Sequence, residues 1–206
     1  MNSTETWAKS LGLSVEATPP TVADYLKRCP RSSRQIAVRA LILQGVVAVA
    51  SEVDPEPIIE WFRDQRIWRS VTREEKAFLN NPSPTKEQCN KFGWHQEAEW
   101  TLLWVIGKVE SLGLPTRECD TRRLVEEIIP PLGSEIASFL STAKVREPGV
   151  LLAEDDRTYN MWCYAQKARR NGELPADLNW SVLYERRYAF EWLDGMQDWD
   201  DVTCDA

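Results

Sequence analysis

The chain has 206 residues, of which 43% are hydrophobic and 28% charged. That balance excludes a disordered, collagen-like or disulfide-scaffold protein and fits one domain with a substantial core. Lys and Arg number 25 against 32 Asp and Glu, a formal charge of −7. Such an acidic chain is a poor nonspecific ligand for nucleic acid or an anionic membrane, both of which need basic side chains. A basic protein partner is the expectation, with no nucleic acid and no membrane.

The charge is unevenly spread. Residues 1–50 carry six bases (Lys9, Lys27, Arg28, Arg31, Arg34, Arg39) and three acids, whereas the tail from Glu191 holds Glu191, Asp194, Asp198, Asp200, Asp201 and Asp205 and no base. Asp194, Asp198, Asp200, Asp201 and Asp205 form the expected acidic interaction surface, facing solvent or docked on a basic surface of this chain or of a partner. Five cysteines (Cys29, Cys89, Cys119, Cys163, Cys204) at wide spacings, with one histidine, fit neither a disulfide framework nor a zinc site. Mostly buried thiols in a reducing cytoplasm are expected. The first twenty residues lack a charged stretch followed by an apolar run, so no signal peptide is read. The longest apolar run, Ala40–Ala50, is interrupted by Gln44 and falls short of the roughly 20 residues that span a bilayer.

In chain order, residues 1–30 read as an irregular arm, broken at Pro19-Pro20 and ended by Cys29-Pro30. Residues 31–206 read as one helical domain. Ser32-x-x-Gln35 is a capping box opening a helix to about Val53, apolar on nearly every face and therefore central. Asp54-Pro55 opens a short helix to about Gln65. Thr72-x-x-Glu75 and Thr85-x-x-Gln88 are further capping boxes, the second opening a long helix expected to reach Leu112 and to close at Gly113. Asp120 caps a helix ending at Pro130-Pro131, and a short piece follows over about 134–143. Pro148 opens a helix to about Arg170 with Asn171-Gly172 as its end, and a last helix spans about 179–193. No strand-like alternation lasts beyond four residues, and no 20–50-residue repeat is visible. The expected class is all-α, a single compact multi-helix bundle.

Several helices set charges inside apolar stripes. Glu97 shares a face with Trp100 and Trp104, Asp155 with Tyr159 and Trp162, and Glu185 with Val182, Ala189 and Trp192. Arg186 lies beside that last stripe, and Arg39 falls between Ile36 and Leu43. A charge buried alone costs several kcal/mol or neutralises, roughly. A network of Arg39 and Arg186 with Glu97, Asp155 and Glu185 is therefore expected, lined by Trp100, Trp104, Tyr159, Trp162 and Trp192. It would either fix helix register as a sealed polar core or form a pocket in which a carboxyl with a raised pKa does acid–base work.

Other chemistry has little support. His95, the lone histidine, lies one helical turn from Glu99, and no nucleophile elbow is present. The adjacent acids Glu154, Asp155 and Asp156 diverge by about 100° each on a helix and cannot converge on one ion. No metal site or cofactor is expected, and no Gly-rich loop cradles a phosphate. Most tryptophans sit at core spacings, with Trp7 and Trp199 the candidates for a partner surface.

Five segments carry a resemblance: Arg34–Leu43, Glu97–Gly107 (EAEWTLLWVIG), Val150–Ala168, Glu185–Leu193 (ERRYAFEWL) and Trp199–Ala206. Through them the chain resembles the bacterial domain-of-unknown-function family 4272 over about residues 31–206. Arg187 stands where that family often has His, Glu191 where it often has Asn, and Ala206 in place of a typical Thr. The resemblance implies fold and compartment and no mechanism. The reading is an uncharacterised protein-interaction module, immunity-type in one form, with its acidic face against a basic partner. The alternative is a small-molecule-binding protein or enzyme using the Arg/carboxylate cluster.

Overall fold

The computed structural model describes residues 31–173, 178–195 and 197–204. The 1–30 arm, Trp7, Cys29 and Asp205 lie outside them. The described residues form eight α-helices and no strand: α1 (Ser33–Ala50), α2 (Pro55–Asp64), α3 (Arg73–Leu79), α4 (Lys86–Val105), α5 (Thr121–Arg123), α6 (Ala137–Thr142), α7 (Pro148–Arg170) and α8 (Trp180–Asp194). Single 3-10 turns occupy Trp68–Ser70 and Trp199–Asp201.

Local capping chemistry sets most boundaries. Ser32, Thr72 and Thr85 each accept a hydrogen bond from the third backbone N–H of their helix, while Gln35, Glu75 and Gln88 reach back to the cap. Asp54 caps α2 with Pro55 following, and Asn179 accepts from the N–H groups of Ser181 and Val182. The expected ends fail in two places. The helix read as reaching Leu112 stops at Val105, because Gly107 takes a left-handed φ of 75° and Lys108 N–H closes onto Leu103 O at 2.8 Å. The helix read from Asp120 to Pro130 is one α turn followed by a π turn over Leu124–Ile128. Pro130 drives Ile129 into extended backbone, so the element closes by Ile129 N–H onto Leu124 O.

The central α4 is covered on one side by α1 and on another by α8, with α7 outside α8 and α6 on α1. Twelve of the eighteen residues of α1 are buried, from Ile36 to Val46 without a break and then Val49. By length and composition alone α1 could cross a membrane; here most of it lies inside the core. Trp61, Trp100, Trp104, Trp162, Trp192 and Trp199 are all buried. Trp199 is thus a core residue and not a partner surface: its ring packs on those of His95, Tyr188 and Trp192, and Tyr188 Oη donates to its carbonyl. Cys89, Cys119, Cys163 and Cys204 are half-buried and outside any disulfide.

The α1–α2 crossing leaves no room for a methyl group at Gly45. A Cβ there would fall 2.4 Å from Phe62 Cζ and 2.8 Å from Ile58 Cγ2. Gly45→Ala is therefore expected to destabilise the fold by about 1–3 kcal/mol, through overpacking of a filled interface. Urea denaturation checks it; an unchanged midpoint would mean that the crossing is loosely packed.

Candidate functional site

All five charged side chains singled out from the sequence are buried: Arg39, Glu97, Asp155, Glu185 and Arg186 are each no more than 8% exposed. They do not form one network. Consecutive residues on α8 diverge by about 100°, so Glu185, Arg186 and Arg187 address three different neighbours. Glu185 pairs with His95 Nδ1 of α4 at 2.9 Å. Arg186 donates to the carbonyls of Leu112 (2.7 Å) and Gly113 (2.8 Å) in the segment after α4. Arg187, not Arg186, pairs with Asp155 of α7 at 2.9 Å and also with Glu191.

Arg39 turns the other way, toward α3. Its Nη2 donates to both oxygens of the buried Glu75, at 2.6 and 2.7 Å. Glu75 is visible in the sequence as a capping residue. Its second role, as counter-ion 36 positions from Arg39, depends on packing and has no local signal. Glu97 accepts from the Cys119 backbone N–H, leaving its Oε2 buried without a partner. Burial pushes the Glu97 carboxyl up, against the pull of that N–H and of the Arg186 charge. Both oxygens of fully buried Glu99 are also without a partner, and desolvation holds that carboxyl well above its ordinary range.

Asp155 carries the sharpest electrostatic conflict. It is desolvated, and Asp194 and Glu191 stand beside it, while the single guanidinium of Arg187 serves both Asp155 and Glu191. Burial and the Asp194 carboxylate outweigh that guanidinium, and the Asp155 carboxyl is pushed up to about 7. Of the aromatic residues expected around the charges, Trp100, Trp104, Trp162 and Trp192 are buried, while Tyr159 is exposed. Trp162 packs with Trp180 between α7 and α8, away from Arg39.

The acidic tail is largely engaged by this chain. Asp194 is half-buried beside Asp155, and Asp200 is half-buried and accepts from the Glu74 N–H at 3.0 Å; Asp198 and Asp201 are exposed. The segment is fastened from outside α1 by Arg31. That guanidinium donates to the carbonyls of Trp192 (2.6 Å), Gly195 (3.2 Å) and Gln197 (2.6 Å) and lies 3.9 Å over the Trp192 ring.

Where α1 begins, α2 ends and this tail crosses, a pocket of about 570 Å³ opens. Arg31, Arg34, Arg39, Arg66 and Arg69 line it, and Asp198 is the one carboxylate among its lining residues. The apolar lining comes from Val38, Ile42, Ile67, Trp192 and Trp199. Arg34, Arg66 and Arg69 are exposed and have no hydrogen-bond or ion-pair partner among the described residues. Arg39, Trp192, Asp198 and Trp199 were singled out from the sequence, the last two for a partner surface; Arg31, Arg34, Arg66 and Arg69 were not. The excess of bases in residues 1–50 was the only signal for Arg31 and Arg34. A second cavity, about 810 Å³, lies over Arg186; Arg117, Glu118, Asp120 and Arg123 line it together, and Arg123 pairs with Glu127. Among the described residues, no group of three acidic, Cys or His side chains could hold a metal ion.

Residues 1–202 match the family described as Domain of unknown function (DUF4272). The chain belongs to that family. The match takes in the first 30 residues as well as the helical domain. No curated protein and no solved structure matches the chain. That description names no activity, and the chemistry of this DUF4272 protein lies in its own side chains.

Proposed function

We propose that the protein is a binding module that takes a small anionic molecule in the arginine-lined pocket. The observation that carries this reading is the set Arg34, Arg66 and Arg69: three exposed guanidiniums around one cavity, without carboxylate partners, in a chain with seven more acids than bases. Like charges repel, and a surface rich in acids offers ample partners for arginine. Three left over beside one concavity favour a ligand that brings the missing negative charge. A volume of about 570 Å³ is in the range of small-molecule sites. With no glycine-rich phosphate loop, side chains must supply the donors, and guanidinium forks match carboxylate and phosphate oxygens.

Docking of a basic protein on the acidic tail has less to support it. Asp194 and Asp200 are held within the chain, which leaves Asp198 and Asp201 as the exposed described acids of that surface.

Thermal unfolding with added ligand tests the proposal. Pyrophosphate or citrate at a hundred times its Kd is expected to raise Tm by about 5–10 °C, and spermidine to leave it unchanged. The double substitution Arg34→Glu and Arg69→Glu, at two exposed positions, is expected to abolish the anion-induced shift. No shift with any anion, or a shift that survives the charge reversal, would overturn the reading.

A further inference from the structure

Arg66 occupies a position where glycine costs least. It follows the C-cap of α2 with φ 59°, and Ile67 N–H closes onto Phe62 O at 2.9 Å. The same closure follows α4 and α7, where glycines fill the left-handed position: Gly107 at φ 75° and Gly172 at φ 71°. Glu52 takes it after α1. A Cβ in this conformation strains the backbone, and such strain gathers where a side chain is needed for function. At Arg66 the side chain so placed lines the arginine pocket.

Three elements supply the unpartnered guanidiniums: Arg34 from the first turn of α1, Arg66 from the end of α2, and Arg69 from the 3-10 turn that follows. A single carboxylate carries too little charge for three guanidiniums, whereas a diphosphate group carries two or more charges and several acceptor oxygens. Val38, the edge of Trp192 and the aliphatic stems of the lining arginines give the same cavity an apolar side, which a bare inorganic anion would leave unused.

Resting on the anion-binding reading above, we propose that Arg66 is a specificity-determining residue of this pocket, held in a strained conformation to grip the phosphoryl end of a small phosphorylated molecule. The rest of that molecule is a planar body lying along that apolar side. A nucleoside diphosphate has this chemistry.

Calorimetric titration of the full chain with ADP, pyrophosphate and adenosine tests it, alongside Tm without ligand. Wild type is expected to bind ADP at least about tenfold more tightly than pyrophosphate, a gain that burial of a ring along an apolar side supplies, and to bind adenosine too weakly to measure. Arg66→Gly relieves the backbone and removes the charge. It is expected to raise Tm by about 2–4 °C while weakening ADP about tenfold or more. Arg66→Ala, which keeps a Cβ in the left-handed position, loses the affinity without the stability gain. Wild-type ADP affinity in Arg66→Gly would reduce Arg66 to a helix terminator and overturn the inference. Equal binding of ADP and pyrophosphate, or tighter binding of a phosphotyrosine peptide than of ADP, would overturn the ligand class. If wild type binds none of these anions, the anion-binding reading itself falls.

Discussion

Replacing Arg39 by Met is expected to destabilise the protein by about 3–5 kcal/mol, the cost of leaving a buried carboxylate without its partner. Arg39 is 4% exposed and Glu75 is fully buried, so the carboxylate left behind is poorly solvated. Glu75 would retain only the Thr72 N–H that its Oε2 accepts at 2.8 Å. The Arg39 guanidinium also lies 5.1 Å over the Trp199 ring, so the substitution loosens the C-terminal segment where it crosses α1. Removing both charges has a different outcome. Arg39→Met with Glu75→Leu is expected to recover most of the loss and to remain about 1–2 kcal/mol below wild type, because the α3 capping box goes with Glu75. Denaturant midpoints of the two single variants and the double variant measure this. A loss below about 1 kcal/mol for Arg39→Met would show that solvent reaches the pair.

The second large effect is a fall in stability as pH rises from about 4 to about 7. The Asp155 carboxyl in the folded protein is pushed up to about 7, whereas an unfolded aspartate titrates near ~3.9. Between those values the folded state holds a proton that the unfolded state has lost. Its contribution is therefore fully present below about pH 4, declines by about 1.4 kcal/mol per pH unit, and is gone above about pH 7. Over the whole window the loss is on the order of 3–4 kcal/mol, concentrated at the contact between α7 and the end of α8. Glu97, Glu99 and Glu154 are shifted in the same direction by burial and add to the slope. Asp155→Asn isolates the Asp155 share. An amide imitates the protonated acid at every pH, so the variant should match wild type near pH 4 and exceed it near pH 8. Urea denaturation from pH 4 to 8 gives both curves; parallel curves would mean that Asp155 is ionised in the folded protein.

Features with a local cause were legible in the sequence. Ser32, Asp54, Thr72, Thr85 and Asn179 act within three residues of themselves, and each opens the helix read from it. The end of α4 was misplaced because Gly107 and Gly113 both take a left-handed φ, and the closure of Lys108 N–H onto Leu103 O ends the helix at the first. Burial of Arg39, Glu97, Asp155, Glu185 and Arg186 could be read from their place among apolar neighbours, since the period of a helix decides which residues share a face. Their partners could not. Arg39 finds Glu75 and Glu185 finds His95 only when α1, α3, α4 and α8 take their places. The arginine pocket is the extreme case: Arg34, Arg66 and Arg69 belong to three elements, and only the fold brings them to one cavity.

Calorimetric titration of the wild-type chain with pyrophosphate, at about 50 and 200 mM salt, tests the central claim most directly. The arginine pocket predicts one site per chain and an affinity that weakens severalfold at the higher salt, as exposed guanidiniums are screened. The absence of binding heat at both salts and at more than one temperature, or an affinity indifferent to salt, would contradict it.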